Sequence, residues 1–362
     1  MAQSVLPARK RLESLDVMRG LTVALMILVN NSGLSYAPLH HSEWNGLTLC
    51  DLVFPFFIFI MGASTYLSLS RKNLKADRSN LLAHIFTRSA LIILICWAIA
   101  YLGWAMKGDF LPFSHLRLTG VLVRIALCYM LLSLLSLFIR PRAFPYLIAA
   151  ILIIYGLLLH FGNGYSNDSS NIISRVDTFL LGKDHLYTKK PIDPEGLLGT
   201  FPSLAQAMLG FLCAFILKSD SSWSSKLRTI LLVGVSLLAA GYILSCFQAL
   251  NKRIWSPSFT LVTSGYAYVT LSVLCYVIDY KGYNKWTPFF KAFGLNALSV
   301  YVFSELLSLV MSRSGLGSLC HETLRFLIGN VAFADLLYAV LFVFVCYLFV
   351  LPLFKKNIII KL

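Results

Sequence analysis

The chain has 362 residues, 58% of them hydrophobic and only 13% charged, with a mean hydropathy of +0.75. One soluble core cannot bury so much apolar surface, and runs of about 20 apolar residues recur along the chain, the length that a hydrocarbon layer of roughly 30 Å demands. The net charge of +15 is dispersed over the connections between these runs rather than gathered in a basic stripe with interleaved aromatics, which excludes a nucleic-acid binder.

The expected fold class is all-α: a polytopic transmembrane helical bundle of about ten spans, forming a single domain over 1–362. The first sixteen residues form a short basic tail, and the first span is expected near 17–34 as an uncleaved anchor. Asp16 and Arg19, three apart at its start, read as an intrahelical pair or an interface anchor, while Asn30 and Asn31 stand at its other end. A short loop follows, with His40, His41, Trp44 and Asn45, and leads into a second span near 48–70 that holds Asp51 in its first turn. The third span, near 82–104, opens with His84 and Arg88, and the fourth, near 118–138, contains Arg124. A fifth, near 144–161, precedes a long loop over 161–197 that carries Asp184, His185, Asp193 and Glu195. Connections of this length in a compact bundle are usually functional or disordered, and Pro191, Pro194 and Gly196 suggest a fixed path. Further spans are expected near 198–217, 227–248, 258–278, 287–311 and 331–353. The ninth contains Asn296 and Glu305, and the segment "SGLGSLCHETLRFLIGN" before the tenth could lie along the membrane interface.

Alternate connections differ in charge. With the N-terminus inside, the inner side carries 19 Lys and Arg and the longer outer loops ten, a bias that puts both termini in the cytoplasm. Six of the eight cysteines fall inside apolar spans, where thiols act as small hydrophobes, and no Cys/His spacing indicates a metal.

Polar groups inside a bilayer are costly, so each is a candidate for function. By depth, Asn30, His41, Asp51, Arg124 and Glu305 share the outer zone. Each also has a structural reading: Asp51 and Arg124 as a pair joining two helices, Glu305 snorkelling, Asn296 as glue between helices, and Trp44 as an interfacial belt residue. His41 could move a proton near neutral pH or carry an acyl group transiently, and Asn30 could orient its ring or donate to an oxyanion. The residues thus indicate an acid–base site on the outer face without naming its substrate.

The segments "RLESLDVMRG", "MILVNN", "HSEWNGLTLCDLVFPFFIFIMG", "LLGKDHLY" and "DPEGLLGT" resemble the heparan-α-glucosaminide N-acetyltransferase family, in consistent order from Arg11 onward. "TGVLVRIALCY", "TPFF" and "GLNALSVYVFSELL" extend the likeness. The resemblance implies transfer of an acetyl group from cytosolic acetyl-CoA to a sugar amine on the far side of the membrane. It implies His41, three residues before Trp-Asn-Gly, as the catalytic histidine, and Asn30, eleven residues upstream, as its companion. Asp51, Arg124 and Asn296 match further motif positions. Trp44, Asn45 and Glu305 complete the expected supporting and substrate-binding set, with no metal.

Two features depart from the lysosomal members. A short basic tail stands where they have a luminal extension and an additional span, and Ser304 replaces a histidine before the glutamate. The short form resembles the bacterial branch, which implies an inner-membrane location. The expected partners are acetyl-CoA, an amino-sugar or oligosaccharide acceptor and membrane lipid, with homodimer formation left open and no nucleic acid. For the CoA phosphates, Arg71, Lys72 and Arg88 are available at the cytoplasmic mouth. Two rival functions stand beside this one: O-acetylation of an envelope polysaccharide, and proton-coupled solute transport.

Overall fold

The computed structural model describes residues 12–33, 36–70, 78–187 and 191–360; Arg71 and Lys72 lie outside the described residues. Thirteen α-helices order these residues. They are α1 (Glu13–Asn31), α2 (Leu49–Leu69), α3 (Arg78–Ala105), α4 (Val121–Phe138), α5 (Phe144–Phe161), α6 (Ile172–Leu181), α7 (Thr200–Leu217), α8 (Trp223–Ser245), α9 (Pro257–Leu274), α10 (Thr287–Leu295), α11 (Ala297–Arg313), α12 (Leu316–Ile328) and α13 (Val331–Lys355). A six-residue π-helical stretch, Cys275–Tyr280, prolongs α9.

Each expected span has a helix. Eight are long and apolar enough to cross a membrane, and α10 with α11 make a ninth that is bent by 83°. The remaining one, α1, carries Glu13, Asp16 and Arg19, and this charge sets it apart from the others. Outward-facing Phe86, Leu94, Ile153, Ile154, Ile243 and Phe344 are exposed, as lipid-facing side chains of an integral membrane protein are. The segment after α11 forms the amphipathic helix α12, which leaves Leu319, Phe326 and Leu327 exposed.

Local rules fix the helix starts. Asn171, Ser222, Ser256 and Asn330 each cap the N-terminus that follows them, accepting from a backbone N–H. Between helices there is no hydrophobic drive in lipid, so close packing of small residues sets the contacts. Thus α2 crosses α7 where a β-carbon on Gly62 would collide with the Ala207 carbonyl, and one on Gly210 with that of Phe59. Likewise α1 crosses α10 where Gly20 meets the Phe290 carbonyl and Gly294 meets that of Asp16. Arg19 braces this second crossing, bonding Asp16 (3.1 Å), the Gly294 carbonyl (3.1 Å) and Ser64 of α2 (2.7 Å). The intrahelical pair expected of Asp16 and Arg19 is therefore present, and it does more than pair.

The bend of the ninth span falls at Asn296, within the run expected as one span near 287–311. Its amide donates to the Ile358 carbonyl (2.9 Å) and accepts from the Ile360 N–H (2.9 Å). The side chain thus ties the tail behind α13 to the break.

Candidate active site

The first turn of α2 builds the site. Thr48 stands at the N-cap, and Asp51, three residues on, reaches back to the Thr48 N–H (3.1 Å), as in a capping box. The Asp51 carboxylate is fully buried, and its Oδ2 also accepts from the Ser42 N–H (3.2 Å) and the Ser42 hydroxyl (3.1 Å), while the Thr48 hydroxyl, 3.1 Å away, donates to the His40 carbonyl (2.6 Å). Three donors on one oxygen hold the group rigidly and leave Oδ1 for something else. Oδ1 meets His41 Nδ1 at 2.8 Å and Lys252 Nζ at 3.5 Å. A carboxylate facing Nδ1 makes that nitrogen the donor, so Nε2 keeps the lone pair. The imidazole is about half exposed, and the Cys50 sulfur lies 3.1 Å from Nδ1.

Lys252 is brought there by the Trp-Asn-Gly sequence. The Trp44 indole donates to the Tyr165 carbonyl (3.0 Å), Asn45 accepts from the Asn251 amide (3.1 Å), and the Gly46 N–H donates to the Leu250 carbonyl (2.8 Å). Asn251 in turn accepts from the N–H groups of Arg253 and Ile254, which closes the turn that carries Lys252. The Lys252 ammonium then stands 2.9 Å from His41 Nδ1 and 3.3 Å from Nε2.

These groups open on a cavity of about 920 Å³, whose polar lining includes Asn30, Trp44, Arg117, Glu195 and Glu305. Met26, Phe57 and Tyr301 line its apolar depth. One wall is an ion cluster: Arg117 bonds Asp193 and Glu195 (2.6 Å), and the Thr119 hydroxyl and Tyr187 N–H donate to Asp193. Burial opposes the charge on Asp193, yet Arg117 and Thr119 hold its carboxyl below the usual range. A second hollow of about 1010 Å³ lies on the long loop beside Arg175, Lys183 and Asp184. Of the two, only the first includes an imidazole among its described lining residues.

Asn30, His41, Trp44, Asp51 and Glu305 therefore share one cavity, and Asn45 braces it from behind. Two expected members lie elsewhere. Arg124 is buried, donates to the Gly196 carbonyl (2.5 Å) and stands 5.4 Å from the Trp255 ring centroid. It fastens α4 to the end of the long loop, so the Asp51–Arg124 pair weighed as a structural alternative is replaced by Asp51 with His41 and Lys252. Beside it Asp177 accepts from the N–H groups of Leu197 and Leu198, and burial pushes its carboxyl up to about 6. Asn296 lies at the bend of the ninth span, away from the cavity lining. Arg88 of α3 stands over the Tyr129 ring at 4.7 Å, and the His185 ring donates to the Leu116 carbonyl (2.8 Å).

Sequence reasoning missed Lys252, Ser42 and Arg117. Lys252 and Arg253 did carry a signal: two adjacent basic residues in a connection expected on the outer side, against the expected charge bias.

Residues 11–220 match the family model described as heparan-alpha-glucosaminide N-acetyltransferase, catalytic. The human heparan-alpha-glucosaminide N-acetyltransferase is 32% identical over 84% of this chain and 54% of its own length, and the mouse protein of the same name is 31% identical over 82% and 54%. The chain spans about half the length of these curated relatives. The matched region includes α1 to α7, and with them His41, Asp51 and the long loop, so the chain belongs to the heparan-alpha-glucosaminide N-acetyltransferase family.

Proposed function

We propose that this protein is a transmembrane acetyltransferase that moves the acetyl group of acetyl-CoA to the amine of a glucosamine-type sugar. The observation that carries the reading is the Asp51–His41 pair at 2.8 Å, open to a cavity large enough for a sugar and a thioester arm. Asp51 fixes the tautomer, and His41 Nε2 takes the proton of the sugar amine as its lone pair attacks the thioester carbonyl. His41 returns that proton to the departing CoA thiolate, so no net proton is left on the protein. The same nitrogen could instead carry the acetyl group between two half-reactions. Asn30 and Glu305 share the cavity and are assigned to holding the reactants.

In the inner-membrane orientation suggested by the charge bias, both termini are cytoplasmic and the His41 cavity faces the periplasm. Acetyl-CoA is then delivered from the opposite side of the membrane. Labelled acetyl-CoA, purified protein and a panel of amino sugars test the reading. Transfer by the wild type that His41→Ala abolishes is expected. Absence of transfer to every amine, with transfer to a hydroxyl acceptor instead, would move the protein to O-acetylation. Solute accumulation in vesicles without CoA would move it to transport.

A further inference from the structure

We infer that Lys252 is a catalytic residue of this site, the donor that stabilises the negative oxygen formed during acetyl transfer. The inference rests on the acetyltransferase reading. In that reaction the amine lone pair forms a C–N bond to the thioester carbon, the carbonyl π pair moves onto oxygen, and the amine proton goes to His41 Nε2. The C–S bond then breaks, and the sulfur takes the proton from His41. Between these steps a full charge sits on one oxygen within a few ångströms of Nε2, and preorganised donors aimed at that position are the largest single aid a site can give.

Lys252 Nζ is placed for this. It is 3.3 Å from Nε2, its side chain is 14% exposed, and it lines the same cavity. Among the described residues, its own hydrogen bonds are incomplete. The ammonium has three protons. Nδ1, at 2.9 Å, already points its proton at Asp51, and Asp51 Oδ1 is 3.5 Å away. Hence, among the described residues, Nε2 at 3.3 Å and the distant Oδ1 are the acceptors within reach of three N–H groups, which leaves one N–H for a carbonyl oxygen bound in the cavity. The rival donors are more committed: the Ser42 hydroxyl and the Ser42 and Thr48 N–H groups are turned on Asp51 Oδ2, and the Thr48 hydroxyl donates to the His40 carbonyl. The position of Lys252 is held by the Asn45–Asn251 bond rather than by the lysine itself, so the cation is oriented before substrate arrives.

The test compares Lys252→Met, Lys252→Arg and His41→Ala in the full-length protein, using labelled acetyl-CoA and glucosamine. Lys252→Met is expected to lower kcat by about 10²–10³-fold with KM for acetyl-CoA within about threefold, and Lys252→Arg to recover at least about tenfold of that loss. A second readout uses the ketone analogue of acetyl-CoA, in which a methylene replaces the thioester sulfur. The infrared stretch of its ¹³C-labelled carbonyl should rise in Lys252→Met relative to wild type, because a hydrogen bond has gone. A Lys252→Met variant that keeps kcat within about fivefold of wild type, while His41→Ala is inactive, overturns the inference and leaves the acetyltransferase reading standing. A fall in kcat with an unmoved carbonyl stretch overturns it too, since Lys252 would then only support Asp51. Wild-type protein that transfers to no acceptor overturns both.

Discussion

Replacing Asp51 by Asn changes one atom and should disable the site by a definite route. The amide has one acceptor oxygen and one donor nitrogen. Three donors converge on Oδ2, from Ser42 and Thr48, so the amide oxygen must take that place. The NH₂ group is then left facing His41 Nδ1, where the carboxylate oxygen stood at 2.8 Å. To accept from it, Nδ1 must give up its proton, and the proton moves to Nε2. The base loses its lone pair on the working side. The expected fall in kcat is on the order of 10³–10⁴, the magnitude seen when a buried carboxylate behind a catalytic histidine is neutralised in the same way. Lys252 also loses its countercharge, so stability should fall by about 1–3 kcal/mol, the cost of a charged group left without its partner. The assay is acetyl transfer at saturating acetyl-CoA, beside a thermal melt in the same detergent. Asp51→Asn with more than a tenth of wild-type kcat and an intact melt would refute the tautomer argument. So would rescue to wild-type rate simply by raising pH, since a wrong tautomer is not corrected by removing a proton from solvent.

Asp177 sets a pH dependence of the long loop. Its folded carboxyl titrates near 6 against an ordinary value near 3.8, so the folded state binds the extra proton. Its contribution is greatest below about pH 4 and is lost as pH rises to about 6, amounting to on the order of 3 kcal/mol. Asp177→Asn should flatten the melting temperature over that window, and an unchanged slope would sink the assignment. Gly20→Ala should sharply lower the yield of monodisperse protein in size-exclusion chromatography, because the added methyl collides with the Phe290 backbone, and overpacking of this kind costs about 1–3 kcal/mol or more. A normal profile would show that the α1–α10 crossing can spread. Asn45→Ala removes the bond to Asn251 and frees the turn that carries Lys252. It should lower kcat about tenfold with a small shift in melting temperature, as expected when a supporting residue loosens a catalytic one; equal activity would detach Asn45 from the site.

Much of this architecture is legible in the residues themselves. Apolar length alone marks the spans, because a bilayer forces every crossing backbone into helix. Asp51, Asn30 and Glu305 are legible together because a polar residue in lipid needs a reason, and counting turns from a common edge places all three at the depth of the loop that carries His41. Arg124 fails by the same logic. Depth is a one-dimensional coordinate, and Arg124 at the right depth points toward Gly196 and Trp255 rather than into the cavity. Lys252 was illegible because its approach to His41 depends on a bond between Asn45 and Asn251, 206 positions apart. The break at Asn296 was hidden for another reason. It contains no proline, and the amide that stabilises it does so through main-chain groups of residues 358 and 360.

That last tether means the end of α13 is not mechanically free. A load behind residue 360 would act on the kink of the ninth span, and so on α11, whose Glu305 lines the cavity. A purification handle placed there is coupled to that kink through the two hydrogen bonds of the Asn296 side chain.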